Sequence, residues 1–214
     1  MKGSHITAAD TRTQILDAAE ELFAARGFDG TSIRAITRAA GVNVAAIHYH
    51  FGTKEEVLRG VTDRIVGPLN ERRFELLEQS IAESAPEPPS LGAVLDAFIR
   101  PDFETLRRLG PSAAHFVGRI YADQTPWIRQ MASDQFAETR SRFFPTLAAV
   151  LPHLHIEEIG WRMYQVTVLI INTFATWPED GMTSTEAEKQ LHDLITFVMP
   201  AVEAPKGVSA TKSW

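Results

Sequence analysis

The chain has 214 residues, 44% of them hydrophobic and 22% charged, with a net charge of −6 and no cysteine. This hydrophobic content supports packed cores, so a disordered chain is excluded, and the length allows a small and a larger domain. Without cysteine there are no disulfides or thiolate zinc sites, which fits a reducing cytoplasm. Residues 1–7 lack an export signal and no apolar run is long enough to cross a bilayer, so we expect a cytoplasmic protein with no membrane partner.

Residues 31–54 predict two short helices around a tight turn. Thr31 is a candidate N-cap for the first helix, because its hydroxyl can accept a hydrogen bond from an otherwise unpaired amide. Apolar residues then recur at helical spacing at Ile33, Ile36 and Ala40. Gly41 suits the left-handed residue that ends a helix, and Asn43 can cap a second helix that runs to about His50.

The second of these helices has an inner and an outer face. Ile47 and Phe51, four residues apart, can lie against the first helix. The residues that then point elsewhere are Val44, Ala45, His48 and Tyr49. Small side chains at Ala45 and Ala46 let a helix approach base edges closely, and Asn43 can pair with a base or a phosphate. A helix pair of this size fits a DNA groove and predicts sequence-specific DNA binding.

The charge pattern supports DNA binding locally but not over the whole chain. Residues 1–60 hold seven basic and seven acidic side chains, so they carry no net charge. Residues 30–54 nevertheless contain no carboxylate, and they include Arg34, Arg38 and Lys54. So few cations neutralise few phosphates, and we therefore expect two subunits to share one DNA site. The acidic remainder of the chain is not expected to bind DNA.

The N-terminal 60 residues resemble the DNA-binding domain of TetR-family transcriptional regulators. The resemblance rests on Ile15-Leu16, Leu22-Phe23, Gly27-Phe28, Thr31-Ser-Ile-Arg-Ala-Ile36, Ala40-Gly-Val-Asn43 and Tyr49-His-Phe-Gly-Thr-Lys-Glu-Glu-Val-Leu58. Two positions depart from the family pattern: Thr37, where a small residue is common, and His48, where a tyrosine is common. Residues 43–51 are most similar to a subgroup that includes fatty-acid-responsive regulators.

The resemblance implies an all-α fold with a three-helix helix-turn-helix domain at residues 8–54. A fourth helix then leads into a helical ligand-binding and dimerisation domain at residues 55–204, with disordered tails at residues 1–7 and 205–214. The implied DNA-contacting residues are Ser32, Arg34, Asn43, Val44, Ala45, Ala46, His48, Tyr49, His50 and Lys54. Lys54 is expected to grip a phosphate at the start of the fourth helix, where Thr53 and Glu56 form a capping-box pattern.

Beyond residue 54 the pattern stays helical. Residues 67–68 predict a kink or a restart in the fourth helix, and residues 85–90 a loop. Shorter helices are predicted at residues 91–100, 103–109 and 112–122. A long helix is then expected from Pro126, bent at Pro145 and ended by Pro152.

The last two predicted helices, residues 156–177 and 185–202, are strongly apolar, the second behind a capping box of Thr185 and Glu188. We predict that they pair with their symmetry mates in a four-helix bundle, as the resemblance also implies. The predicted interface residues are Val168, Ile171, Leu191, Leu194, Ile195, Val198 and Val202. The alternative is that both helices fill the core of their own chain.

Aromatic and polar residues mix between residues 98 and 177 and predict a pocket for an apolar effector. The candidate lining residues are Phe98, Phe116, Arg119, Trp127, Phe136, Trp161, Tyr164 and Asn172. Arg119 is the candidate partner for an effector carboxylate or phosphate. Ordinary core or surface packing is the alternative for each residue taken singly. Neither a metal site nor a cofactor is predicted, since the histidines are not clustered with carboxylates.

Together these patterns predict a repressor that binds a palindromic double-stranded DNA operator as a homodimer on the bacterial nucleoid. A small effector, for which a fatty-acyl compound is the candidate, would release it by tilting the fourth helix. An activator of the same fold, or a helical enzyme with an accessory helix-turn-helix, are the alternatives. No catalytic motif supports the enzyme.

Overall fold

The computed structural model describes residues 8–205, in which there are ten helices and no strand. The helices are α1 Ala8–Arg26, α2 Ile33–Ala40, α3 Val44–His50, α4 Lys54–Ser84, α5 Leu91–Leu109, α6 Pro111–Tyr121, α7 Pro126–Gln135, α8 Ala137–Val150, α9 Ile156–Ala175 and α10 Ser184–Glu203. The predicted all-α class is confirmed. Apart from Pro205, the tails expected to be disordered lie outside the described residues. None of the helices in residues 8–205 is long and apolar enough to cross a membrane.

Two helix caps differ from the sequence prediction. Ser32, not Thr31, caps α2, and its hydroxyl accepts from the amide of Ala35 at 3.2 Å. Thr31 is buried, and its hydroxyl donates to the carbonyls of Leu22 and Gly27. It therefore ties the α1–α2 turn together. The cap of α10 also differs: its capping box is formed by Thr183 and Glu186, two residues earlier than the predicted pair.

Prolines interrupt the helices less than predicted. The helix α4 runs without a restart through Pro68, and α5 runs through Pro101, where a break had been expected. Each proline removes one backbone hydrogen bond, but tertiary packing supplies most of the stability of a helix within a protein. The predicted long helix of residues 126–152 is instead two helices that meet at Phe136.

The N-terminal helices are docked on the larger helical region through one continuous apolar core. The helix α1 packs on α6, and the ring of Phe23 lies 6.4 Å from that of Phe116. Phe28, after α1, makes an edge contact at 4.7 Å with Trp127 at the start of α7. Within the larger region, Gly118 lets α6 cross α9 closely, because a side chain there would overlap the backbone of Ala175.

A buried ion pair joins α4 to α5. The Arg73 guanidinium donates to the Asp102 carboxylate at 2.5 Å and to the Phe98 carbonyl at 2.8 Å. A third bond, at 2.9 Å, goes to the side-chain oxygen of Asn70. Burial raises the pKa of the Asp102 carboxyl, and the charge of Arg73 opposes this shift. A buried guanidinium needs this set of partners, since an unpaired buried charge is costly.

Candidate functional site

The helices α2 and α3 form the predicted helix-turn-helix. The helix α2 ends at Gly41, whose φ of 67° lies in the left-handed region that glycine adopts without strain. The Asn43 side chain then accepts from the amide of Ala46 at 2.9 Å and starts α3. Ile47 is fully buried, which anchors α3 against the rest of the domain.

The outer side of this unit presents an exposed surface, which we call the recognition face. It consists of Arg34, Asn43, Val44, Ala45, His48 and Tyr49, all exposed. Tyr49 stands out because 81% of its surface is accessible. His48 pairs its Nδ1 with the carbonyl of Gly52 at 2.9 Å, so Nδ1 carries the proton in the neutral ring.

Three other predicted contact residues are placed differently. Ser32 is exposed but its hydroxyl serves as the cap of α2. Ala46 is half-buried and packs against the core, so it is not on the recognition face. His50 is also half-buried, with its ring 4.9 Å from that of Tyr49. It therefore borders the recognition face and can hold the tyrosine ring in place.

Lys54 does not present its charge to the outside as expected. Its ammonium group donates to the carbonyls of Phe28 and Thr31, both at 2.9 Å. It also lies 3.8 Å from the centroid of the Phe28 ring. Two of its three N–H donors are thus used within the protein. Lys54 therefore fastens the start of α4 to the α1–α2 turn, and its contact with a phosphate stays a prediction.

A second charged contact fastens α4 to α1. Arg64 donates to Asp17 at 2.5 Å and to Glu20 at 2.6 Å. Between Lys54 and Arg64, Gly60 lets the side chains of Leu16 and Phe51 lie directly on α4. The helix α4 is therefore fastened to the domain that carries the recognition face at α1, at the α1–α2 turn and at the end of α3.

The larger region encloses a cavity of about 330 Å³, which we call the central cavity. Its walls come from α5 to α9 and are Phe98, Tyr121, Gln124, Arg129, Ala132, Ser133, Phe136, Thr139, Arg140, Phe143, Phe144, Leu147, Gly160, Met163, Tyr164, Thr167 and Ile171. Its volume lies at the lower end of the range of about 300–1,000 Å³ that is usual for ligand pockets. The cavity is therefore sized for a small ligand.

The sequence located this cavity only in part. Phe98, Phe136 and Tyr164 line it as predicted. Phe116 is instead fully buried in the core, and Trp127 packs on Phe28. The remaining three residues also lie outside this cavity: Arg119 lines a separate groove of about 740 Å³ beside α1, Asn172 lines a third depression, and Trp161 is 60% exposed.

A hydrogen-bond chain, which sequence reasoning missed, leads from the central cavity to α4. The hydroxyl of Tyr121 donates to the side-chain carbonyl of Gln135 at 2.5 Å. The amide nitrogen of Gln135 donates to Thr62 at 2.9 Å and to Asp63 at 3.0 Å on α4. Burial raises the pKa of Tyr121, so its hydroxyl stays a donor at neutral pH. No sequence pattern marks Gln135, since its partners on α4 lie more than 70 residues away.

An exposed apolar surface, which we call the uncovered face, runs along α9 and α10. It consists of Trp161, Tyr164, Val168 and Leu169 on α9, and Phe197 on α10. Phe197 is 71% exposed and Tyr164 is 62% exposed, which is unusual for large apolar side chains grouped together.

The predicted dimer residues divide between this surface and the core. Val168 is exposed, while Ile171, Leu194 and Ile195 are half-buried. Leu191, Val198 and Val202 are buried within their own chain, where α10 packs on α5. Their positions favour the alternative of an intrachain core over a place on the interface.

Comparisons with known proteins agree with this architecture. Residues 15–61 match the profile of the bacterial regulatory proteins of the TetR family, and residues 96–204 match a tetracyclin repressor-like C-terminal domain. The transcriptional repressor KstR2 of Rhodococcus jostii (strain RHA1) is 30% identical over 129 residues, which are 58% of this chain and 54% of the relative. The chain thus spans about half the length of that relative. The regulator SrpR of Pseudomonas putida is 34% identical over 92 residues, 39% of this chain and 43% of the relative.

Solved structures share the fold over nearly the whole chain. KstR2 of Mycobacterium tuberculosis, described as a ketosteroid transcriptional regulator, superposes with a TM-score of 0.60 at 19% identity, covering 89% of this chain and 93% of that one. NalD of Pseudomonas aeruginosa, a repressor of a multidrug efflux pump, gives 0.61 at 19% identity, covering 90% and 96%. The recognition face, the helical region behind it and the two profile matches lead to one conclusion: the chain belongs to the TetR family and is a DNA-binding transcription regulator.

Proposed function

We propose that this protein is a cytoplasmic repressor that binds a palindromic operator as a homodimer and leaves it when a small effector fills the central cavity. The observation that carries the proposal is the connection between cavity and recognition face through a single helix, α4. On the cavity side, Gln135 donates to α4, and Arg73 of α4 donates to the carbonyl of Phe98 in the cavity wall. On the other side, Lys54 and Arg64 of α4 bind the α1–α2 turn and α1.

The homodimer is supported by the uncovered face. Its aromatic residues lie on α9 and α10, so the same surface on a second copy can cover it in an isologous four-helix contact. A dimer also compensates for the few positive charges on each recognition face. Two α3 helices in successive major grooves, about 34 Å apart, double the number of contacts with one DNA site.

Release follows if the effector binds more tightly to a state with a different α3 spacing. A ligand shifts such an equilibrium only by its difference in affinity between the two states. Filling the central cavity pushes on Tyr121, Phe136 and Thr139, which border the polar contacts to α4. A tilt of α4 then changes the distance between the two recognition faces.

The direct test is a footprint and gel-shift titration of the full chain with the DNA upstream of its own gene. We expect protection of one discrete palindrome with two half-sites one helical turn apart. Protection spread over the whole fragment, or none, would contradict the assignment of a specific operator.

The dimer is tested separately by sedimentation of the Phe197→Glu variant. A charge at Phe197, the most exposed residue of the uncovered face, should convert dimer to monomer. Ile81→Glu is the matched control, because Ile81 is an exposed apolar residue on α4 outside that face. If both variants sediment as the unmodified protein does, the dimer is held by another surface.

A further inference from the structure

The central cavity differs in polarity between its two ends. On α8 the lining residues Arg140, Phe143, Phe144 and Leu147 follow one face of the helix, so the arginine lies at one end and the leucine two turns away. Arg129 and Ser133, one turn apart on α7, border the arginine end, and the carbonyl of Ser133 accepts from Arg140 at 3.0 Å. The cavity therefore has a basic mouth and an apolar interior.

The charge at this mouth is not neutralised by the protein. Among the 17 residues that line the cavity there are two arginines and no carboxylate. Within residues 8–205, neither Arg129 nor Arg140 has an acidic partner within 4.0 Å. Arg142, only two residues further along α8 and outside the cavity, pairs with both Glu138 and Glu78. The two guanidinium groups therefore give this cavity a positive charge that no lining carboxylate offsets.

We infer that the effector carries one anionic head group, a carboxylate or a phosphate, on a compact apolar body, and that Arg129 and Arg140 hold this head group. The inference rests on the proposed function, because it concerns the ligand of the same cavity. Guanidinium groups bind both anions with paired N–H donors, and such charge-assisted bonds are the stronger ones. The body of the ligand then lies among Phe98, Phe143 and Leu147.

The charge of the two arginines also disfavours other ligand classes in this orientation. A cationic amphiphile would bring its charge against two guanidinium groups. A neutral apolar molecule would fill the interior without using the charge of either arginine. Arg119, which the sequence favoured for this role, lies in the polar groove beside α1 with Glu21 and Glu179, so it is not available to a ligand in the central cavity.

The test is calorimetric titration of the full-length protein, without DNA, with decanoate, decyl phosphate, 1-decanol and decylamine. These probes share one apolar body and differ in the head group. We expect at least one of the two anions to bind tenfold or more tightly than 1-decanol, and decylamine to bind most weakly. The tighter of the two anions identifies the preferred head group.

The variants Arg129→Gln and Arg140→Gln should each weaken binding of that anion at least fivefold and leave 1-decanol within twofold. Arg142→Gln is the matched control on the same helix and should change neither. Thermal unfolding of each variant verifies that it is folded. Equal affinity for the anions and 1-decanol, no binding of either anion, or unchanged anion affinity in the Arg129→Gln/Arg140→Gln double variant would overturn the inference.

These titrations separate the inference from the proposed repressor function. If the anion binds through the two arginines but does not release the operator in a gel shift, the head-group site is supported and the proposal that this cavity controls release is contradicted. If a neutral molecule releases the operator and the anions do not bind, the proposed repressor function is supported and the head-group site is contradicted.

Discussion

The recognition face takes its residues from positions 34–49, whereas the walls of the central cavity come from five helices that span residues 98–171. The first is shaped by local capping and by one buried anchor, Ile47. The second exists only when α5 to α9 have packed together. A substitution on the recognition face outside the Asn43 cap should therefore change DNA binding alone, while one of a buried residue in the cavity wall also changes stability.

The two regions differ in how they use charge. The recognition face lies in a stretch free of carboxylates, so its arginine faces the solvent. In the helical region the most buried charges, Arg73 and Asp102, are paired with each other. The predictions that follow test this difference, beginning with the largest expected effect.

Arg73→Met should destabilise the helical region by about 3–5 kcal/mol, because it leaves the Asp102 carboxylate buried without its cation. Urea unfolding measures this loss. Arg72→Met is the control, since Arg72 is an exposed neighbour with surface partners, and should cost less than about 1 kcal/mol. The double variant Arg73→Met/Asp102→Leu should regain most of the lost stability. Equal midpoints for Arg73→Met and Arg72→Met would show that the buried pair contributes little.

Lys54→Met should loosen the α1–α2 turn by about 1.5–3 kcal/mol, since hydrogen bonds from a charged donor to two carbonyls are lost. Faster amide hydrogen exchange in residues 28–40 and weaker operator binding should appear together. Lys189→Met, which removes an exposed lysine on α10, serves as the comparison. Weaker operator binding with unchanged exchange would instead restore the phosphate contact that the sequence predicted.

Tyr49→Ala should weaken operator binding about fivefold, close to 1 kcal/mol, without moving the unfolding midpoint. The side chain is almost wholly exposed, so its removal costs no packing. Tyr49→Phe distinguishes the ring from the hydroxyl. The assignment of the recognition face is refuted if Tyr49→Ala binds the operator as tightly as the unmodified protein.

Gln135→Leu should give the smallest effect, a two- to fivefold reduction in the factor by which decanoate weakens operator binding. Couplings between sites are about 1–3 kcal/mol in total, and Gln135 carries one of two polar routes to α4. Gln130→Leu on the same helix is the matched control, because Gln130 bonds only to Asp134 among the described residues. If both variants respond to decanoate alike, Gln135 does not transmit the effect.

The recognition unit was predictable from sequence because its determinants are neighbours in the chain. Gly41, Asn43 and Ile47 fix the turn, the cap and the buried side of α3 within seven residues. The internal hydrogen bonds of Lys54 were not predictable for the opposite reason, since its partners Phe28 and Thr31 lie more than 20 residues away.

The cavity and the interface were less predictable because an apolar stripe does not say what covers it. Leu191, Val198 and Val202 repeat as a partner-facing stripe would, yet they pack on α5 of their own chain. Phe197, between two of them, has the exposure expected of an interface residue but stands outside the repeat. Likewise, the sequence contains several arginines that could bind a ligand. Only the packing of α7 and α8 around the central cavity shows that Arg129 and Arg140 line it.

Phe28 has a consequence for exchanging parts between regulators. Its ring is contacted by Lys54 from α4 and by Trp127 from α7, so the DNA-reading segment packs against helices of the rest of the chain. Grafting residues 8–54 onto another regulatory domain would leave this aromatic side chain and Phe23 without their neighbours. A functional chimera therefore has to include α4 and reproduce the contacts that α6 and α7 make with Phe23 and Phe28. These contacts, rather than the linker sequence, determine which DNA-binding and regulatory domains can be combined.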